Sequence, residues 1–231
     1  MVFFATRGLL TKSYNPVFAD NDWATIIEAC HADEVPDEWV ADGTCYKDML
    51  INGTNYRIDI IGKNHDDLSD GTGKAPLTFQ LHDCYATTYP MNATNTNVGG
   101  WQNSAMRTTH LPAILNMMPA EVKAAIRDVQ KKSSAGNQSS SIQTTNDKLF
   151  LLSEIEIFGS TTYSFAGEGK QYDYYKAGNS KVKNRNGSAD SWWERSPRSG
   201  YSTNFCFVDS GGSASAQRAS NSRGVAFAFC F

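Results

Sequence analysis

The chain has 231 residues, 40 % hydrophobic and 19 % charged, a composition that suits a folded domain and excludes a disordered one. Its net charge of −3 excludes the overall basic balance of a polyanion-binding protein. The charge is uneven. Residues 181–231 hold Lys181, Lys183, Arg185, Arg195, Arg198, Arg218 and Arg223 against Asp190, Glu194 and Asp209, and so carry +4, leaving −7 for the rest. Ordinary scatter and a mildly basic partner-facing surface both account for this. No run approaches the ~20 apolar residues of a membrane span, and MVFFATRGLLTK lacks the apolar core and cleavage pattern of a signal peptide.

Residues 1–19 read as an N-terminal arm or linker, and 20–231 as one domain. Asp20-Asn21-Asp22 offers caps for a helix whose apolar positions are Trp23, Ile26, Ile27 and Cys30. MLINGTNYRIDII, residues 49–61, predicts a hairpin around Asn52-Gly53. HDDLSDGTGK, residues 65–74, reads as a polar loop, and Leu77 to Leu81 as a strand. Residues 92–100, rich in Asn, Thr and Gly, read as a loop. Trp101 to Met117 predicts a helix bent or broken at Pro112. Pro119 opens a second helix at its first position, running from Ala120 to Lys132. Residues 133–146 read as a loop and Leu149 to Leu152 as a strand, with Ser153 and Glu156 spaced as a helix cap. In the last third the apolar islands are SWWERSP (191–197), FCFV (205–208) and VAFAFCF (225–231). In the last island Val225, Phe227, Phe229 and Phe231 alternate with small residues, as in a strand covered on both faces.

Catalytic and metal motifs are sparse. Asp66, Asp67 and Asp70 near Gly71 superficially suit a calcium loop, but the register and closing Glu of such loops are missing, so a solvated turn is expected. His31, His65, His82 and His110 are dispersed, and His82 with Cys84 lacks a third group to orient a base. Cys30, Cys45, Cys84, Cys206 and Cys230 are odd in number and lack CxxC spacing, which points to buried thiols rather than a disulfide framework or zinc site. Cys206 and Cys230 form the one pair that adjacent apolar strands would bring together. No cofactor and no metal are expected.

Between WWERSP and GVAFAFC, the segment is built of Ser, Asn, Gly, Ala, Tyr, Arg, Asp and Gln. Such a mixture is paratope-like, with Tyr and Arg as anchors and small polar residues as adaptable contacts. Gly/Ser turns joining strands would share that composition.

The WWERSP frame at 192–197 and the terminal GVAF strand resemble a family of bacterial and phage proteins. DKLFLLSEIEIFG (147–159) and WQNSAMR (101–107) are similar to that family too. The resemblance covers the chain from about Asp20 onward. It implies an α+β, C-type-lectin-like domain with short strands, two or more helices and much irregular loop, related to the formylglycine-generating enzyme fold. Several members are similar to the variable proteins of diversity-generating retroelements, in which adenine-directed mutagenesis rewrites one solvent-facing ligand site over a fixed scaffold. Carried over, Trp192, Trp193 and Arg195 are scaffold, with Glu194 as a partner for Arg195. The variable region is about 190–223. Its ligand-binding positions are Asp190, Ser191, Arg198, Tyr201, Thr203, Asn204, Phe207, Asp209, Ser215, Gln217, Arg218, Ser220, Asn221 and Arg223. Phe207 stands apart by lying inside an apolar run.

That reading implies a non-enzymatic display protein on a phage virion, in its tail or fibre, or on a bacterial cell surface. Its partner would be a surface protein or glycan, and a homo-oligomer fits; nucleic acid and membrane spans do not. Two alternatives stay open. One is a structural tail or fibre component without a diversified site. The other is an enzyme of the formylglycine-generating type, for which Cys206 and Cys230 are poorly placed.

Overall fold

A computed structural model describes residues 13–231. Asp22 caps helix α1 (Trp23–His31) by accepting the Thr25 N–H at 2.7 Å, and the helix turns Trp23, Ile26, Ala29 and Cys30 inward. Asn52 and Gly53 both take positive φ, 48° and 78°. That turn matches strand twist and joins β1 (Tyr46–Ile51) to β2 (Thr54–Lys63). Strand β3 (Leu77–Leu81) is buried throughout. A wide π-type turn at Met106–His110 leads into α2 (Leu111–Leu115). Pro112 lies in the first turn of α2, where a missing N–H costs little. Then follow α3 (Ala120–Ala125), β4 (Val129–Gly136) and β5 (Ser139–Asp147). Ser153 and Glu156 close a reciprocal capping box on α4 (Glu154–Phe158). The chain continues through α5 (Asp173–Lys176), β6 (Lys183–Arg185), β7 (Ser188–Asp190), β8 (Trp192–Pro197), β9 (Asn204–Val208), β10 (Ala214–Arg218) and β11 (Ala228–Cys230).

The architecture is mixed α and β, with small antiparallel sheets. One sheet has the order β1-β2-β3-β11 and a second β10-β9-β8, while β4–β5 and β6–β7 are separate hairpins. The C-terminal segment ties the two larger sheets together. Gly224 exchanges backbone bonds with β8, its O accepting from Trp193 N and its N donating to Ser191 O. Four residues later the same segment pairs with β3, Phe229 opposite Phe79. Those two rings stack at 5.2 Å, and Trp23 and Phe231 pack beside them. Every residue from Gly224 to Phe231 is buried, so the alternating pattern reflects two covered faces.

Several expectations give way. The second helix stops at Ala125, and Val129 to Asp147 form a hairpin where a helix end and a loop were expected. The side chains that face inward from β4 include Lys131 and Ser133, so no apolar alternation marks it. Trp101–Asn103 are turn rather than helix. Leu149 to Leu152 are buried but form no ladder; Phe150 alone bridges to Ala228. Of the expected arm, residues 1–12 lie outside the described residues. Phe18 beyond them is 2 % exposed and packs edge-on against Trp39 at 5.2 Å. That segment therefore docks on the core. Cys206 and Cys230 are free thiols in different sheets, as are Cys30, Cys45 and Cys84 elsewhere.

The junction at Gly224 has no room. A Cβ there would lie 2.5 Å from Cys84 Sγ and 2.9 Å from Ser191 O. Gly224→Ala should therefore destabilise the fold by about 1–3 kcal/mol through overpacking. Gly200→Ala, which meets open space, should stay within about 0.5 kcal/mol of the parent. Urea unfolding of both variants checks this; equal stability of the two would show that the junction is loose.

Candidate functional site

The residues of the 190–223 region stand on a buried platform. Trp192 and Trp193 are wholly buried, and their indole N–H groups donate to Lys181 O and Tyr89 O at 2.9 Å each. Arg195 is also fully buried, and all five of its N–H groups are used. They reach Lys132 O, Leu151 O and Glu168 O, and both oxygens of Glu156 at 2.5 and 2.8 Å. The partner of Arg195 is thus Glu156, the capping residue of α4, and not the neighbouring Glu194, because successive strand residues face opposite ways. Glu156 also binds Lys131 at 2.8 Å, and Lys131 binds Asp66 at 2.6 Å. Burial opposes ionisation of Asp66 and Glu156. The Lys131 ammonium, joined at Glu156 by Arg195, outweighs it and holds both carboxyls below their usual range.

Around this platform the candidate positions fall into groups. In register, Ser215 of β10 lies opposite Phe207 of β9, which lies opposite Trp193 of β8. Opposed residues share a face, and Gln217 joins Ser215 by alternation. Phe207 is 6 % exposed and sits under the Arg223 guanidinium, 3.6 Å from ring centroid to Cζ. It is therefore a floor and not a surface contact. Arg223 also donates to the Ser191 hydroxyl. Ser191, Ser215 and Arg223 thus gather about the Phe207 ring, with Gln217 farther along the same face opposite Phe205.

A second group lies at the far end of the sheet. Asn204 opposes Arg218, and alternation turns this pair to the other face. Beside it Ala219 N donates to Thr203 O, Asn221 N to Arg218 O, and the Ser220 hydroxyl to Asn95 Oδ1 at 2.6 Å. Arg198 stacks over Tyr201 at 3.9 Å and faces Tyr163 at 5.3 Å. Asp190 is held by Arg185 at 2.6 Å. Asp209 accepts the N–H groups of Gly211 and Ser213 and shapes the β9–β10 turn, so its carboxylate is occupied. The fourteen positions do not form one patch.

Sequence reading missed the residues that brace these groups. Buried Asn97 donates to Tyr201 O and Asn204 O at 2.7 Å each and accepts from Asn137 N. Tyr89 pairs backbone to backbone with Arg223 and stacks on His110 at 4.6 Å. Asn97 reaches Tyr201 and Asn204 across 104 and 107 positions, and no local pattern announces such contacts.

The other chemical candidates are dispersed. Asp66 is buried against Thr78, Tyr172 and Lys131, Asp67 pairs with Lys74, and Asp70 with Arg127. The expected solvated turn is therefore partly a buried anchor. Among the described residues no group of three or more His, Cys, Asp or Glu could hold a metal ion. His82 binds Asp59 at 2.6 Å, and burial pushes the Cys84 thiol up to about 12. Burial also raises Cys206 and Cys230 well above the ordinary thiol range.

Beneath the sheet lies a buried acidic group. Glu168 accepts from Ser134 N and the Ser196 hydroxyl, yet burial still raises its carboxyl to about 7. Among the described residues Glu194 has no hydrogen-bond partner for either oxygen, and burial, then Glu154 and Glu168, pushes it well above its usual value. A carboxyl held protonated in the fold stabilises it fully below the unfolded value of 4.5, and that contribution is lost as pH rises toward the raised folded value. Glu194→Gln should match the parent near pH 4. Between there and the raised folded value it should gain on the parent by about 1.4 kcal/mol per pH unit. Urea melts from pH 4 to 8 test this; a constant difference would mean Glu194 is ionised in the fold. Arg195→Met should cost about 3–5 kcal/mol by leaving charge unpaired. Arg195→Lys should lose most of the same, since a point ammonium cannot fill a five-donor fork. A parent-like melt for the Lys variant would contradict the geometry.

No curated protein and no solved structure matches the chain. Residues 77–231, well over half of it and including the platform and every candidate position, match the domain of unknown function DUF6273. The chain belongs to that family.

Proposed function

We propose that the chain is a non-enzymatic ligand-display protein with a C-type-lectin-like fold, akin to the variable proteins of diversity-generating retroelements. The observation that carries the reading is the convergence on Phe207. Ser191, Ser215 and Arg223 come from three separate stretches, yet Arg223 lies 3.6 Å above the Phe207 ring and bonds Ser191. Their backbones are meanwhile held by the platform. Small polar side chains beside an arginine on an aromatic floor form a surface that can change its contacts without changing its frame. The Arg198–Tyr201 stack, with Tyr201 50 % exposed, offers a separate aromatic anchor at the far end of the sheet.

In this reading the ligand is a surface protein or a glycan, and the setting a phage tail or fibre or a bacterial cell surface. Chemistry on the ligand is not required in this reading, and Cys206 and Cys230, the two thiols nearest the candidate surface in sequence, are buried. In agreement with the absence of long apolar runs, no helix among the described residues is long and apolar enough to cross a membrane.

A yeast-displayed library randomised at Ser191, Ser215 and Gln217 tests the proposal. Most members should keep the protease resistance of the parent, since surface changes away from buried features are nearly neutral. Selection against a protein such as hen lysozyme should then yield saturable binders. Loss of resistance in most members, or no binder from the resistant ones, would refute it. In the encoding DNA, a near-copy of the last part of the coding sequence that differs at adenines would support diversification directly.

A further inference from the structure

A cleft of about 420 Å³ opens between the 65–74 loop, β4 and residues 167–170. It shares no residue with the Phe207 face. Its floor is the internally satisfied set Asp66, Lys131 and Glu156. Asp67 on its wall is neutralised by Lys74 at 2.5 Å. Its acidic lining is thus already engaged by cations, or raised toward neutrality in the case of Glu168.

The remaining lining is not engaged. His65 is 8 % exposed, and its ring lies flat on Tyr172, with centroids 3.9 Å apart and planes at 22°. The Tyr172 hydroxyl is fixed in turn by Asp66 and Lys131. The imidazole is therefore rigidly placed, yet among the described residues neither ring nitrogen has a hydrogen-bond partner. His82, by contrast, is bound to Asp59. The His65 nitrogens are not sealed from water, so they are open to a ligand entering the cleft. Burial holds His65 below its ordinary range, so one nitrogen donates and the other accepts near neutral pH. Lys132 and Lys170 also line the cleft, are exposed, and make no side-chain hydrogen bond or ion pair among the described residues. The backbone of Lys132 is pinned, because its carbonyl accepts from Arg195. Two unpaired ammonium groups on long stems and one pre-set N–H donor thus meet at a concave site. The adjoining hollow adds Lys176 and the Asp173 carboxylate, while Lys63 on its wall is already paired with Asp37.

We propose that this cleft is a second binding site, independent of the Phe207 face, that takes the oxyanion of a small molecule: a phosphate or carboxylate group held by His65, Lys132 and Lys170. Charge-assisted hydrogen bonds of this kind are stronger than neutral ones, and a site that excludes water on one side strengthens them further. The ligand is small, because the walls on either side are formed by ordered loops about a cavity of metabolite size.

Titration of the whole chain with inorganic phosphate and, separately, citrate, followed by NMR of the His65 side chain and of backbone amides, tests this. Saturable shifts centred on His65 and Lys170 are expected with at least one of the two, and the stronger of them identifies whether phosphate or carboxylate is preferred. The double substitution Lys132→Ala and Lys170→Ala should weaken that binding by at least about tenfold while leaving the melting temperature unchanged, since both side chains are exposed. Arg223→Ala should leave it unaffected. Shifts that do not saturate, shifts away from His65, or undiminished binding by the folded double variant would each overturn the proposal.

Discussion

A guanidinium sealed from water must have every N–H occupied, and the placement of Arg195 organises the molecule around that requirement. Its five bonds draw together β4 at Lys132, the segment before α4 at Leu151, α4 itself at Glu156 and the loop at Glu168. Glu156 hands the charge on to Lys131, Lys131 to Asp66, and Asp66 to the Thr78 hydroxyl of β3. A chain of alternating charge thus runs from the sheet that carries the candidate surface to the sheet that carries the core. Each member is buried, so each depends on its neighbours, and the geometry is specified more narrowly than apolar packing alone would specify it.

The Phe207 surface inherits that definition. The indole bonds of Trp192 and Trp193, one on each face of β8, and the Arg195 fork anchor the strand, and Gly224 ties its start to the terminal strand. The side chains above contribute little to these bonds. Ser215 makes no side-chain hydrogen bond among the described residues and Gln217 bonds only the Arg218 N–H next to it, whereas Asp209 shapes a turn and Phe207 floors the site. Freedom to vary is therefore graded across the 190–223 region. It is greatest along β10 and the 198–201 and 220–221 turns, and smallest where a candidate side chain has a structural task.

Local chemistry was legible in the sequence. The Asn52-Gly53 turn, the Asp22 cap, the Ser153–Glu156 capping box and the doubly buried terminal segment each follow from neighbours within a few positions. What failed was anything whose inward face is polar. The β4–β5 hairpin shows Lys131, Ser133 and Thr145 to the interior, so hydrophobic periodicity has nothing to detect. The partner of Arg195 lies 39 residues away, and Asn97 braces positions more than a hundred residues distant. Pairings of that range depend on topology, which spacing does not encode. Of the candidate site, the frames were readable from their aromatic weight. The division of the polar residues between two faces of the sheet needed the register of β9 and β10.

The central claim is that the frame, and not the side chains above it, holds the backbone of the candidate surface. Native-state hydrogen exchange on a variant with Ser191, Ser215, Gln217 and Ser220 all replaced by Ala tests it most directly. The amides of Trp193, Arg195, Ala219 and Gly224, which donate to Gly224 O, Leu152 O, Thr203 O and Ser191 O, should keep the protection they have in the parent. Loss of protection confined to those amides would mean that the polar side chains themselves hold the surface, and would contradict the account.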